Sequence, residues 1–213
     1  MEIAGFDDGF FPAYYKSRKG YTILAGVKTS NLYILSGVGF TQVLVDGRET
    51  TEKIVSLSRI LRPDVIFLDG ITYAGFDVAD PDAIYSSTGF PVITVQQYPL
   101  NISRIRKALE NNFEDFRERL EVILRIWNKF NYLDTPWKMV QFYAVGISLE
   151  KALAILRSTM IYSPVPEPLR IAHMLASAVS RMFANRHELI KPDPRPLYRE
   201  KRARRDLNPG PTG

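Results

Sequence analysis

Three aspartates each close a short apolar run: Asp7 after IAGF, Asp46 after VLV and Asp69 after VIFL. A carboxylate at the end of a buried strand stands clear of the core yet is held on a rigid element, which suits it to bind a cation. Two such groups side by side repel each other unless a positive ion lies between them. Divalent-metal chemistry is therefore the first possibility these residues raise. The chain has no cysteine and two histidines, which excludes thiolate sites and leaves little room for zinc. Oxygen ligands point to Mg2+ or Mn2+.

The elements that must position these acids can be read from periodicity. Glu2 to Asp7 reads as a first strand, YTILAGVK as a second and FTQVLVD (40–46) as a third, with NLYILSGVG before it as an irregular or additional strand segment. Ile54, Leu57, Ile60 and Leu61 then recur at helical spacing, which predicts a helix over 50–61 that Pro63 ends. DVIFLD and PVITV (91–95) have the continuous apolar character of buried parallel strands, and DPDAIYSSTG between them offers an N-cap, a short helix and a glycine stop. The remainder reads as helices over 102–111, 113–130, 149–160 and 167–183, with a strand over 139–145.

Three strands joined without helices most simply form an antiparallel meander, and a helical crossover then makes the fourth strand parallel to the first. Placing the fourth strand beside the first gives a mixed sheet of order 3-2-1-4-5. Asp7 and Asp69 become neighbours at one sheet edge, about 4.8 Å apart in strand spacing. The crossover after the third strand passes over the same edge, where VDGRETTEK supplies Asp46, Glu49 and Glu52 as candidates for a third ligand. Asp46 and Glu49 equally fit a helix capping box, and Glu52 a first-turn acid. Asp8 reads as a turn residue before Gly9, with contact to metal-held water as the alternative.

Composition sets the wider frame. The 213 residues, 46% hydrophobic and 24% charged, suffice for one domain, expected over 1–186. From 187 to 213 the chain is basic and proline-rich with little to bury, so disorder is expected there, and KRARR reads as a solvated charge run with a phosphate-binding arm as the alternative. That segment holds seven positive and four negative charges, so the body carries about +2 of the net +5, a weak pointer to a polyanion. No apolar run reaches the roughly 18 residues of a membrane span and no signal peptide is evident, so a soluble cytoplasmic protein is expected.

GFDDGFF, VLVDGRETTEKI, VIFLDGITYAGFDVAD, TGFPVITV and PEPLRIAHMLASA together resemble the archaeal endonuclease dU family, a relative of endonuclease V, over about residues 2–185. The resemblance implies a ribonuclease H-like fold. It also implies a divalent-metal-dependent endonuclease of DNA repair, with DNA containing deaminated bases such as deoxyuridine as its partner. By position, Asp7 matches the first-strand metal aspartate, Asp69 the fourth-strand aspartate, and Arg48-Glu49 an Arg–Glu pair after the third strand. Asp46 remains a competitor of Glu49. The histidine-rich turn that follows the last aspartate in endonuclease V is missing.

On that reading Asp7, Glu49 and Asp69 are catalytic, and the metal-ligand candidates are Asp7, Asp46, Glu49, Asp69 and Glu167. Glu167 enters because the last helix of ribonuclease H-like folds often brings a polar residue to the metals; its alternative is an N-terminal dipole partner. Arg170, three residues on, is a phosphate-contact candidate. ITYAGF puts Thr72, Tyr73, Gly75 and Phe76 beside Asp69 as substrate-binding candidates, either to stack an extruded base or simply to pack the core. FFPAYYKSRKGY sets aromatics beside Lys16, Arg18 and Lys19, which suits nucleic acid and equally suits a hairpin covering the core. His173, on an apolar helix, reads as a hydrogen-bonded core residue. Two other classes stay open: a non-catalytic nucleic-acid-binding protein and a metal-dependent phosphohydrolase of a small substrate.

Overall fold

Strand β1 (Glu2–Asp8) buries Ile3, Ala4 and Phe6 completely, so both its faces are covered and it belongs in the middle of a sheet. The computed structural model describes residues 1–32 and 34–185, with the side chains of Ser17, Arg18 and Asn185 set aside. The expected 187–213 tail, including KRARR, lies outside the described residues. After β1 come α1 (Tyr15–Arg18), β2 (Tyr21–Ser30), β3 (Ile34–Leu44), α2 (Thr50–Leu61) and β4 (Val65–Asp69). Then follow β5 (Thr72–Tyr73), β6 (Asp77–Val78), α3 (Pro81–Thr88), β7 (Val92–Gln96), α4 (Ile102–Asn112) and α5 (Phe116–Trp127). The chain closes with β8 (Asn131–Asp134), β9 (Met139–Val145), α6 (Leu149–Thr159) and α7 (Glu167–Asn185).

The main sheet runs β3-β2-β1-β4-β7-β9-β8. Its first five strands are the expected 3-2-1-4-5 order: β1, β2 and β3 form the antiparallel meander, and β1, β4 and β7 run parallel. β9 and β8 add an antiparallel edge that extends it. Where one long strand stands, the sequence reads a strand over 40–46 with an irregular lead-in. β3 spans eleven residues with one register shift and stops at Leu44, because Asp46 turns the chain at φ 58°. The small β5–β6 hairpin and β8 are also additions to the sequence reading.

Alternation sorts the core into two faces. Ala4, Phe6, Ile66, Leu68 and Val92 pack with Ile54, Leu57 and Leu61 of α2 and Ile84 of α3. Ile3, Val65, Phe67, Ile93 and Val95 pack with Ala152 and Leu156 of α6 and Leu169 of α7. Helices α4 and α5 cover a third cluster built on Ile71, Leu109, Leu120 and Ile123. Helix α7 lies across β1, β2 and β4. Its approach is set by Gly5, where an added Cβ would sit 2.5 Å from the Pro168 carbonyl carbon, and by Gly9, where it would sit 2.5 Å from the Ala176 carbonyl oxygen. Only glycine leaves room for backbone so near.

Candidate active site

The same alternation decides which acids meet. In β1 and β4 the register sets Phe6 beside Leu68, and the residues that follow, Asp7 and Asp69, point to the α6–α7 face with Ile3 and Phe67. Asp8 falls on the opposite face. Its carboxylate takes the Ala74 N–H of the turn after β5. His173 comes down from α7 onto Asp7, with Nδ1 2.7 Å from Asp7 Oδ2. Asp7 Oδ1 accepts the Asp8 N–H at 2.8 Å, and Asp69 Oδ1 accepts from Gln97 Nε2 at 3.3 Å.

Between the two strand ends stands Tyr73, fully buried. Its hydroxyl accepts the Asp69 N–H at 2.8 Å and donates to the Phe6 carbonyl at 3.0 Å. One side chain thus bridges the backbones of β1 and β4 where their direct pairing ends. Of the two readings of Tyr73, a base-stacking ring or a core residue, the structure has the second: the ring lies in the core and the hydroxyl is spent on the strand ends.

Electrostatics reflect first how deeply the acids are set and then their mutual repulsion. Burial, followed by the Asp7 charge, pushes Asp8 up to about 8. Burial and the Asp7 charge lift Asp69 to about 6 against the opposing pull of Gln97, His173 and Lys138. Burial also raises Asp7, although His173 draws it back. The hydrogen bond to Asp7 in turn raises His173, keeping the imidazole protonated to higher pH. His173 is not the core residue expected from its helix: its side chain is 63% exposed, and its hydrogen bond spans 166 residues of sequence.

The other sequence candidates are placed elsewhere. Asp46 Oδ1 accepts the Phe76 N–H at 2.8 Å and lies against Gly75, whose φ of +93° and tight fit make that glycine a turn residue. Glu49 Oε1 accepts the Leu44 N–H at 2.8 Å at the start of α2, while Asp77 Oδ2 takes the Glu49 and Thr50 N–H groups and caps that helix from across the fold. Arg119 locks this junction, donating to the carbonyls of Asp46, Gly47 and Phe76. Glu167 is buried and held by Arg170 through three contacts of 2.8–3.1 Å, so the two expected site residues neutralise each other. The charges that act most on Asp7, Asp8 and Asp69 are those of one another, His173 and Lys138. Lys16 and Lys19 are exposed on α1 and its cap, on the segment that leaves β1 past Asp8; the side chain of Arg18 lies outside the described residues.

Thr72 and Phe76 do reach a cavity. It measures about 260 Å³ and is lined by Asp69, Gly70, Gln96, Gln97 and Tyr98 on its polar side, with Ile71, Leu100, Ile105 and Ile123 beneath. Sequence reasoning named His173 only as a core residue and missed Gln97 and Tyr98. Only the QQY that ends β7, at the same sheet edge as Asp69, offered a signal.

These donors suit a hard divalent ion. Among the described residues no three His, Asp or Glu side chains converge closely enough to enclose an ion. Mg2+ does not require such a cage, since it keeps several waters and takes one or two carboxylates with substrate phosphate oxygens. The chemistry of Asp7 and Asp69, with Asp8 behind them, therefore fits Mg2+ or Mn2+ in an open site.

A family model described as Endonuclease dU matches residues 1–180. The chain belongs to the endonuclease dU family. That family makes it a nuclease. Relatives include a UPF0215 protein of Thermococcus gammatolerans, 40% identical over 182 residues, covering 84% of this chain and 92% of the relative. Another, from Pyrococcus furiosus, is 39% identical over 185 residues, covering 85% and 93%. Among solved structures, a protein of unknown function from Archaeoglobus fulgidus aligns with a TM-score of 0.69 at 24% identity, covering 84% of this chain and 97% of that one. Endonuclease V of Ciona intestinalis, in complex with a DNA containing an inosine followed by a ribo-adenosine, aligns at 0.55 and 17% identity, covering 88% and 87%. Human endonuclease V aligns at 0.53 and 15%, covering 86% and 85%. The ribonuclease H-like, endonuclease V-like fold expected from the sequence is thus the fold of this chain. Among the described residues no helix is long and apolar enough to cross a membrane.

Two outcomes follow from this geometry. Tyr73→Phe leaves the Asp69 N–H and the Phe6 carbonyl without their buried partner, so urea denaturation should show a loss of about 1–3 kcal/mol; unchanged stability would mean the hydroxyl bridges nothing. Asp8 titrates near 4 in an unfolded chain and near 8 when folded. Between those values the folded protein keeps a proton the unfolded chain has lost, so this contribution is full below pH about 4 and disappears as pH rises through about 8. In EDTA, Asp8→Asn should be more stable than wild type at pH 8 and should flatten the decline in Tm between pH 5 and 8.

Proposed function

We propose that this protein is a divalent-metal-dependent endonuclease that nicks DNA at or near deaminated bases, deoxyuridine among them, in DNA repair. The observation that carries this reading is the placement of Asp7 and Asp69 at the ends of two neighbouring parallel strands, with His173 on Asp7 and Asp69 opening onto a cavity. Family membership supports the nuclease, and the DNA bound by the Ciona endonuclease V supports nucleic acid as the partner.

Asp7 and Asp69 are the residues that hold Mg2+ or Mn2+. When bound, the ion supplies an activated water and neutralises charge on the phosphodiester. Asp8, on the opposite face of β1, supports the turn at Ala74. His173, exposed and hydrogen-bonded through Nδ1 to Asp7, is the proton donor for the departing oxygen. The cavity beside Asp69 takes the base turned out of the stack: its apolar floor covers the ring, and Gln96 and Gln97 present amides that both donate and accept to the polar edge.

End-labelled single-stranded and duplex oligonucleotides carrying uracil, hypoxanthine or xanthine test this directly. With Mg2+ or Mn2+ the wild type should nick lesion strands and spare the normal ones, and EDTA should abolish the cut. Asp7→Asn and Asp69→Asn should each lower the rate by at least about a hundredfold, since several kcal/mol of charge stabilisation is lost, while retaining the far-UV spectrum of the folded protein. Lesion-independent cutting, or wild-type rates in either variant, would overturn the proposal.

A further inference from the structure

Two side chains from different elements meet at the rim of the Asp69 cavity, Tyr98 from the segment after β7 and Lys138 from the turn between β8 and β9. Tyr98, just past β7, lines the cavity yet is 68% exposed, so most of its ring faces solvent. Lys138 lies over that ring with Nζ 3.7 Å from the centroid. Lys138 is half-buried and makes no carboxylate ion pair among the described residues. Its charge also reaches Asp69. A half-buried ammonium beside an acidic edge would ordinarily close onto a carboxylate; this one stays on the aromatic face.

Both groups are held in place. Gln96 Nε2 donates to the Tyr98 carbonyl at 3.0 Å. Thr135 Oγ1 accepts the N–H groups of Trp137 and Lys138 at 3.3 and 3.1 Å and donates to the Lys138 carbonyl at 2.5 Å, which fixes the turn. The ring and the cation are therefore presented on a rigid rim beside the candidate reaction centre.

We propose that Tyr98 and Lys138 form a binding site for one unpaired nucleotide next to Asp69, the ring stacking on its base and the ammonium taking its phosphate. Aromatic rings stack on any base with a free face, and a lysine ammonium neutralises one phosphate as a point charge. A base within a duplex has both faces covered by its neighbours, so this rim accepts a strand only where it is frayed, flipped or single. The inference rests on the nuclease reading and narrows it: the strand entering the site is unpaired on the side of the β8–β9 turn.

The test is equilibrium binding of a fluorescein-labelled single-stranded DNA to the full chain, by anisotropy in EDTA across a salt series. Tyr98→Ala should weaken binding by about five- to 150-fold without changing the salt slope. Tyr98→Phe, which keeps the ring, should restore affinity. Lys138→Ala should lower the slope of log affinity against log salt by about 0.7, the value for one single-strand phosphate contact, and Lys138→Arg should retain it. Equal losses in Tyr98→Phe and Tyr98→Ala, or wild-type affinity and slope in both alanine variants, would overturn the site. If the wild type nicks lesion DNA while the alanine variants bind as it does, the rim falls and the nuclease reading stands. If the wild type binds no strand, both fall together.

Discussion

The site depends on the parallel register of β1 and β4. Setting Phe6 beside Leu68 sends the next two side chains, Asp7 and Asp69, onto the same face of the sheet. A slip of one residue would put one of them on the α2 side and dissolve the pair. The Tyr73 hydroxyl secures this arrangement by joining the Asp69 N–H to the Phe6 carbonyl. It supplies buried hydrogen bonds at the point where the ladder would otherwise leave polar groups without partners.

From that register the rest of the site is built inward. Gly5 and Gly9 let α7 approach β1 closely enough for His173 to reach Asp7. The His173 hydrogen bond to Asp7 offsets part of the cost of burying that carboxylate. Beyond β4, the Asp46 turn, the β5–β6 hairpin and the first turn of α2 are tied together by Asp77 and Arg119. The acids in this second cluster are thus consumed in holding the loop that positions Tyr73 and Phe76. Two acidic groups close in sequence carry different work: one faces the site, the other supports it.

Much of the sheet was legible because its central strands are short, apolar and punctuated by acids, glycine or proline. Three antiparallel strands and two helical crossovers admit few topologies, so the order of the first five strands followed from connection rules. β3 was less legible because it is an edge strand with glycines at 37 and 39 and exposed apolar residues, which blur alternation. NYLD and the two-residue strands of the β5–β6 hairpin are too short to show a period. Asp7 and Asp69 could be singled out from their strand-end positions. Tyr73 could not be resolved, since an aromatic residue reads alike whether it stacks on a ligand or fills a core. His173 was misread because its helix is apolar, and the bond that carries it onto Asp7 joins opposite ends of the chain.

The central claim is that Asp7 and Asp69 together form the cation-binding edge. Anomalous diffraction from crystals soaked in Mn2+ tests it most directly. The account predicts a manganese peak in contact with both carboxylates at the ends of β1 and β4. A peak held instead by Asp46 and Glu49, or by Glu167 once freed from Arg170, with no density at Asp7 and Asp69, would contradict it.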